Sequence, residues 1–271
     1  MKIIDCFMYF DEDLMLEIRL NTLNEIVDKF VICEATRDHG GNKKKLNFVM
    51  KKFSKFKSKI EYLIVDDVPL EVKINKKNWH ENHIRDQFQR NAIHRALKGA
   101  NDDDWIMISD IDEIPDPKKI KEFNTINKYA CFLQKNFQSK INFLNVTEDY
   151  WPGTKICQMR HFKSPQWLRN IKIKKKPFWK IFGDRQPQLI KNGGWHFSFL
   201  KKPELIIKKI KAYAHQEFNT PKFIEKNYIE EKISKGEDLF ERNIKYKAIK
   251  IDESFPNYIL NNKGKFKDWI A

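Results

Sequence analysis

Over its first 140 residues the chain alternates short apolar runs with stretches in which apolar side chains recur every three or four positions. KIIDCFMY (2–9), rich in Ile and aromatics, has the length of one buried strand. From Asp13 the period changes. Leu16, Leu20, Leu23 and Val27 follow the spacing of a helix that buries one face. KFVICEA (29–35) returns to the strand pattern, RDHGGNKKK (37–45) is a polar loop, and KIEYLIVDD (59–67) is a third strand ending in acids. Residues 79–97 place Trp79, Ile84, Phe88, Ala92, Ile93, Ala96 and Leu97 on one helical stripe, with Asn78 and Glu81 spaced as in a cap. NDDD (101–104) turns the chain into WIMIS (105–109), and YACFLQKNF (129–137) is one more strand. Such alternation predicts an α/β fold: a mostly parallel sheet with flanking helices, because parallel neighbours need crossover connections.

After about residue 140 the pattern becomes irregular. INFLNVTEDYWPGTK and KIKKKPFWKIFG suit antiparallel hairpins and loops, whereas 203–218 and 229–243 suit helices. There is no internal repeat and no linker long enough to divide the protein cleanly. The expected organisation is a core over residues 1–200 with a basic, partly helical extension over 201–271 packed on it.

Composition narrows the class. With 21 Phe, 7 Trp and 8 Tyr the chain has ample apolar surface for a core, and 9 Gly with 10 Pro excludes collagen-like or low-complexity sequence. No apolar run approaches the roughly 18 residues of a membrane span, and MKIIDCFMYFDED turns acidic too early for a secretory leader. Cys6, Cys33, Cys131 and Cys157 are far apart and form no CxxC pair, so they read as reduced core residues of a cytoplasmic protein. Charge is uneven. Residues 1–150 hold 25 Lys and Arg against 25 Asp and Glu, while residues 151–271 hold 27 against 12, so the net +15 lies in the second part. A basic part invites an anionic partner, with a solvated lysine-rich surface as the plain alternative.

The sharpest chemical feature is SDIDEIP (109–115). A buried strand delivers Asp110 and Asp112 to its end, and side chains two apart along a strand point the same way. Paired carboxylates facing a cleft suit Mg²⁺ or Mn²⁺, which also bridge diphosphates. Ligands of open α/β sheets bind beyond the carboxyl ends of the strands. The second feature is GGWHFSF (193–199). Trp195 could pack on a sugar face and His196 could meet a metal or a phosphate, or the segment could be a turn with a buried Trp and a satisfied His. Glu34, at the end of the second strand, could hold a ribose or uracil, or be a plain strand-end carboxylate. Arg85 could neutralise a diphosphate or pair with a helix neighbour such as Asp86. No Walker A, GxGxxG, HExxH or GxSxG sequence is present, which argues against P-loop, dinucleotide, zinc-protease and serine-hydrolase chemistry.

In order and spacing, DCFMYFDEDLMLEIRLNTLNEIVDKFVICEA, DHGGNKKKLNF, the segment from Trp79 to Arg85, SDIDEIP and GGWHFSF resemble glycosyltransferase family 17, over roughly residues 3–218. The resemblance implies a glycosyltransferase A-type, Rossmann-like fold, a divalent cation (Mn²⁺ or Mg²⁺), inversion at the anomeric carbon and UDP-N-acetylglucosamine as donor. Asp110 and Asp112 fall on the family's metal-binding Asp-x-Asp, and Trp195 and His196 on its Gly-Trp-His. The metal set implied is Asp110, Asp112 and His196, with Glu34, Arg85, Asp110 and Trp195 around the nucleotide sugar. The animal enzyme of the family is a Golgi membrane protein with an anchor and stem. This sequence carries no such segment, and its expected acceptor is a glycan or glycolipid. A carboxylate must deprotonate the acceptor hydroxyl. Among Glu148, Asp149, Asp184 and Glu217, the choice is Glu217, which follows GGWH at a helix end in a basic stretch. The rival reading is a nucleic-acid- or anionic-membrane-binding protein without transferase activity, using KKPELIIKKIKAY as a basic amphipathic helix. It leaves SDIDEIP unexplained. A peripheral membrane contact remains compatible with transfer, and no nucleic-acid partner is expected.

Overall fold

A computed structural model of the chain describes residues 1–72, 81–173 and 187–271. Asn78, Trp79, Asp184 and most of the lysine-rich KIKKKPFWKIFG stretch lie outside the described residues. β1 (Ile3–Met8), α1 (Asp13–Leu23), β2 (Lys29–Ala35) and β3 (Ile60–Val65) follow the expected order. α2 (Glu81–Ala92) continues into a 3-10 turn over Ile93–Leu97 and leads to β4 (Trp105–Asp110). β5 (Glu113–Pro115), a strand that the pattern does not predict, and the single-turn α3 (Pro117–Ile120) precede β6 (Tyr129–Gln138). β7 (Phe143–Asn145), β8 (Trp151–Gln158), α4 (Pro165–Arg169), β9 (Gln188–Ile190) and β10 (Gly194–Ser198) make up the irregular stretch. α5 (Pro203–Ala212), α6 (Lys226–Lys235), β11 (Tyr246–Ala248) and α7 (Asn257–Asn261) complete the chain.

Among the described residues the strands form one eleven-stranded sheet with the path β11-β7-β6-β8-β4-β1-β2-β3. The strands of the first 110 residues are parallel throughout, β3-β2-β1-β4, as the strand–helix alternation requires. The second half joins this parallel block through the antiparallel pair β4–β8 and continues with antiparallel β6–β8, β6–β7 and β7–β11. β10 lies between β6, to which it is parallel, and β5, to which it is antiparallel.

Alternate side chains of the parallel strands enter two apolar layers. Phe7, Ile32 and Met107 pack with Leu16, Leu20 and Leu23 of α1 on one face. Cys6, Cys33, Val31 and Ile106 pack with Ala92, Ile93, Ala96 and Leu97 on the other. All four cysteines are buried free thiols, and burial pushes Cys33 up to about 12. Ile251, Phe255, Ile259 and Phe266, from the end of the chain, join the layer that holds Leu16.

Two helices differ from the expectation. α2 buries Arg85, Gln89 and Arg90, while Ile84 and Phe88 are only half-buried. The apolar stripe meets the sheet through a half-buried Phe88 and then from Ala92 onward, while Asp86, Gln89 and Arg90 of the same helix line a polar cleft. The predicted helix over 229–243 stops at Gly236, whose φ of 64° ends α6. The N–H of Gly236 donates to the Ile233 carbonyl at 3.2 Å and that of Glu237 to Lys232 at 2.9 Å, a left-handed cap. α5 turns Ile206 and Ile210 into a third cluster with Phe199, Ile229, Leu239 and Phe240. Protein thus covers the apolar face that the sequence offered to a membrane. No helix among the described residues is long and apolar enough to cross a membrane.

Candidate active site

The site forms where β1 and β4 end. Arg19, on the buried face of α1, is fully inaccessible and reaches across to the turn after β4. Its Nη1 donates to the carbonyls of Asp110 (3.1 Å), Ile111 (3.2 Å) and Glu113 (2.9 Å). Its Nη2 donates to Ser109 Oγ and to Asp5 Oδ1, both at 2.6 Å, and its Nε to Asp5 Oδ2 at 2.7 Å. A tight turn inside the protein leaves carbonyls without strand partners, and each needs a donor. One guanidinium supplies three of them. Glu113, also fully buried, completes the frame. Its Oε2 accepts from the Asp110 N–H (3.2 Å), and its Oε1 from Trp151 Nε1 (2.6 Å) and Arg169 Nη2 (2.8 Å).

Strand β4 ends at Asp110, so the alternation that predicted parallel aspartates stops there. Asp110 and Asp112 both line the cleft but turn to different partners. Asp110 accepts from Arg90 Nη2 at 3.2 Å and from Arg169 Nη2 at 2.9 Å. Burial alone would raise its pKa, but the guanidiniums of Arg169 and Arg90 outweigh burial and hold the carboxyl far below the usual range. Asp112 faces His196 Nε2 at 3.8 Å with one oxygen and Lys209 Nζ at 3.6 Å with the other.

The pairing of β10 places His196. The residue pairs with Glu113 on β5 and with Asn136 on β6, and the Phe197 N–H donates to the Asp112 carbonyl at 2.9 Å. Gly194 permits this register. Its φ is 132°, and a Cβ there would lie 2.1 Å from the Ile114 carbonyl oxygen. The His196 ring stacks on Trp151 with centroids 4.6 Å apart, and its buried Nδ1 has no hydrogen-bond partner.

An acid–lysine cluster closes one side. Glu12 accepts from the Phe10 and Asp11 N–H groups at 3.0 Å each and lies 3.3 Å from Lys201 and 3.6 Å from Lys209. Burial would raise its pKa, but Lys201, Lys209 and the two backbone donors hold it down at about 2. Lys208 adds an ion pair with Asp11 at 2.9 Å. The lysines of the basic segment nearest the cleft are therefore compensated by acids of the neutral first part.

Four predicted site residues stand elsewhere. Trp195 points to the opposite face of β10 from His196; it is 5% exposed in the main core, and its Nε1 donates to the Ser254 carbonyl at 2.9 Å. Strand alternation leaves it unavailable to a sugar in the cleft. Glu34 is fully buried. Its oxygens accept from Lys44 Nζ (2.5 Å), the Asn47 and Phe48 N–H groups (2.8 and 3.0 Å) and Tyr62 OH (2.8 Å), so it anchors a loop. Arg85 is spent on the carbonyls of His39, Pro69 and Leu70 and on Glu81, not on Asp86. Glu217 is exposed on the 3-10 turn Gln216–Phe218 and meets His215 Nδ1 at 2.8 Å. His215 lines the cleft and Glu217 does not. Burial would raise the Glu217 pKa, but a backbone hydrogen bond and His215 lower it below the ordinary carboxylate range, which weakens it as a base.

Arg19, Asp5, Glu12, Arg90, Glu113, Trp151, Arg169, Lys209 and His215 are among the residues that sequence reasoning missed. For two of them a signal was present: Asp5 interrupts the apolar run of β1, and Arg19 interrupts the buried stripe of α1. A charge at a core position must be paired.

The resulting cleft, about 680 Å³ in volume, runs from Tyr9 and Phe10 past Asp110, Asp112 and His196 to Tyr213 and Phe218. Among the described residues no three His, Cys, Asp or Glu side chains converge as a metal-holding group. The donor set that faces the cleft is the Asp112 carboxylate with the His196 imidazole. A carboxylate with an imidazole suits Mn²⁺ better than Mg²⁺, which takes oxygen ligands, with the remaining positions left to substrate or water. Asp110, held by two arginines, is not a free ligand in this arrangement. A comparison with curated proteins finds no match. The family model of glycosyltransferase family 17 matches residues 1–267. A match over nearly all of the 271 residues means that the chain belongs to glycosyltransferase family 17.

Proposed function

We propose that the protein is a metal-dependent, inverting glycosyltransferase of glycosyltransferase A type that moves a sugar, N-acetylglucosamine by family resemblance, from a UDP-sugar to a glycan or glycolipid hydroxyl. The observation that carries this reading is the pairing of Asp112 with His196 at 3.8 Å, beyond the ends of parallel strands, in a cleft that also holds Arg90, Arg169 and Lys209. Ligands of open α/β sheets bind at such strand ends. Asp112 and His196 would hold the cation, which when bound supplies Lewis-acid neutralisation of the diphosphate.

The chain's own residues do the rest. Arg169 and Arg90 fix Asp110, so that its carboxylate serves as a hydrogen-bond acceptor at the ribose side. Lys209, 3.6 Å from both Glu12 and Asp112, keeps a cation beside the reacting centre, and Asp112 and Glu12 raise its pKa against the opposing effect of burial. Glu217, the carboxylate chosen from sequence, acts through His215. A His whose Nδ1 meets a carboxylate is fixed in tautomer and orientation, leaving Nε2 to take a proton from the acceptor.

The test is a thermal-shift series of UDP-sugars with and without Mn²⁺, followed by mass spectrometry of products formed on glycan and glycolipid acceptors. Mn²⁺-dependent stabilisation by one UDP-sugar is the expected result. The reading fails if no UDP-sugar stabilises the protein in the presence of the metal.

A further inference from the structure

The buried Nδ1 of His196 has no hydrogen-bond partner among the described residues, and Asp112, at 3.8 Å from Nε2, lies beyond hydrogen-bond reach. A histidine that ligates a metal almost always donates its other ring N–H to a carboxylate or a carbonyl, which fixes the tautomer and the plane of the ring. His196 lacks that anchor. The group that meets its ring is the indole of Trp151, stacked with 4.6 Å between centroids and 24° between planes.

Trp151 opens β8 and is itself tied down, because its Nε1 donates to Glu113 Oε1 at 2.6 Å. A hydrogen bond to a carboxylate is among the stronger ones, and it sets the direction of the indole as well as its place. Glu113 is fully buried, and its oxygens also accept from the Asp110 N–H at 3.2 Å and from Arg169 Nη2 at 2.8 Å. Arg169 in turn holds the Asp110 carboxylate at 2.9 Å. The indole is therefore fixed to the same frame as the turn that carries Asp112, and it reaches His196 through ring contact. We propose that Trp151 is a positioning residue that holds the His196 imidazole with Nε2 toward Asp112, so that stacking replaces the hydrogen bond that orients other metal-binding histidines. The inference rests on the transferase reading, in which Asp112 and His196 hold the cation.

The experiment compares the full chain with Trp151→Leu and Trp151→Phe. Mn²⁺ alone is titrated by electron paramagnetic resonance. The His196 Cε1–H resonance, identified by its absence from His196→Gln, is followed by NMR in the metal-free proteins. In the wild type the indole face is expected to shift that resonance upfield. Trp151→Leu should abolish the shift and weaken Mn²⁺ binding by about 10–100-fold, the loss typical of an outer partner of a metal ligand. Trp151→Phe, which keeps an aromatic face without the bond to Glu113, should recover part of both, a rescue that a merely space-filling tryptophan would not give. Wild-type Mn²⁺ affinity in folded Trp151→Leu overturns the inference and leaves the ligand pair standing. Absence of Mn²⁺ binding to the wild type removes the ligand pair and the inference with it, so the two failures are distinct. If Trp151→Leu does not fold, the wild-type spectrum decides, and a His196 resonance without the upfield shift overturns the inference.

Discussion

Arg19 and Asp5 form a two-point ion pair with both side chains fully buried, and the far edge of the same guanidinium holds the turn between Asp110 and Glu113. The Phe7 ring covers the guanidinium at 4.4 Å from its centroid. The pair thus ties the middle of β1 to the segment that carries Asp112. A charge pair removed from water adds little net stability by itself, but breaking it strands the surviving charge. Its value here is positional.

Arg19→Met leaves the Asp5 carboxylate buried alone and takes the Arg19 donor from the Asp110 and Ile111 carbonyls, while the Glu113 carbonyl keeps the Thr154 hydroxyl at 2.9 Å. Urea unfolding is expected to show a loss of about 3–5 kcal/mol. Asp5→Leu combined with Arg19→Met removes the stranded charge and is expected to lose less than the single substitution. A double variant as unstable as the single one would mean that the carbonyls, and not the ion pair, dominate.

Asp112→Asn keeps the shape of the side chain and removes its charge. The Mn²⁺-dependent part of the UDP-sugar thermal shift is expected to disappear, with metal affinity falling by more than the roughly 10–100-fold that loss of an outer partner costs. Unfolding without ligand should change little, because the nearest cation, Lys209, also faces Glu12. Full metal-dependent stabilisation in this variant removes Asp112 from the ligand set.

Glu12 links stability to pH. Its folded pKa, lowered from 4.5 to about 2, means that the unfolded chain binds the proton more readily. Its contribution is fully present above about pH 4.5 and is lost as pH falls toward about 2, amounting to roughly 3 kcal/mol. Glu12→Gln should flatten the fall in unfolding free energy across that interval. Parallel curves for wild type and variant would show that other carboxylates carry the acid sensitivity.

His215→Gln and Glu217→Gln separate the two roles proposed at the cleft mouth. Loss of a general base lowers turnover by about 10²–10⁴-fold, so His215→Gln is expected in that range with UDP-sugar binding intact. Glu217→Gln should cost less, since the amide oxygen still accepts from His215 Nδ1–H. Steady-state rates at saturating donor decide it. A larger loss at Glu217 than at His215 would make Glu217 itself the base.

The elements of the first 110 residues were legible because each depends on a local pattern. The apolar runs of β1, β2 and β4 and the three- and four-residue spacing of α1 need no knowledge of distant neighbours. The ends of elements were less legible. α6 stops at Gly236, a left-handed cap that the helical pattern ran through, and β5 exists only because β10 returns to pair with it. SDIDEIP and GGWHFSF were found as chemistry-bearing segments, and both reach the cleft, but the direction of their side chains was only half readable. Alternation in β10 sends His196 to the cleft and Trp195 to the core, while the end of β4 at Asp110 breaks the alternation that would have paired the two aspartates.

The order of residues by itself determined the parallel half of the sheet, the two segments that meet at its carboxyl end and the placing of the +15 in residues 151–271. Tertiary structure alone decided which charges meet. Arg90 and Arg169 close on Asp110 from helices 59 residues of sequence or less away, and Lys209 crosses from the basic part to Glu12 and Asp112. Side-chain pairing across such separations depends on how the sheet folds back on itself, and no local period encodes it. The same holds for Trp151 and His196, whose rings meet only once β8 and β10 have joined the same sheet.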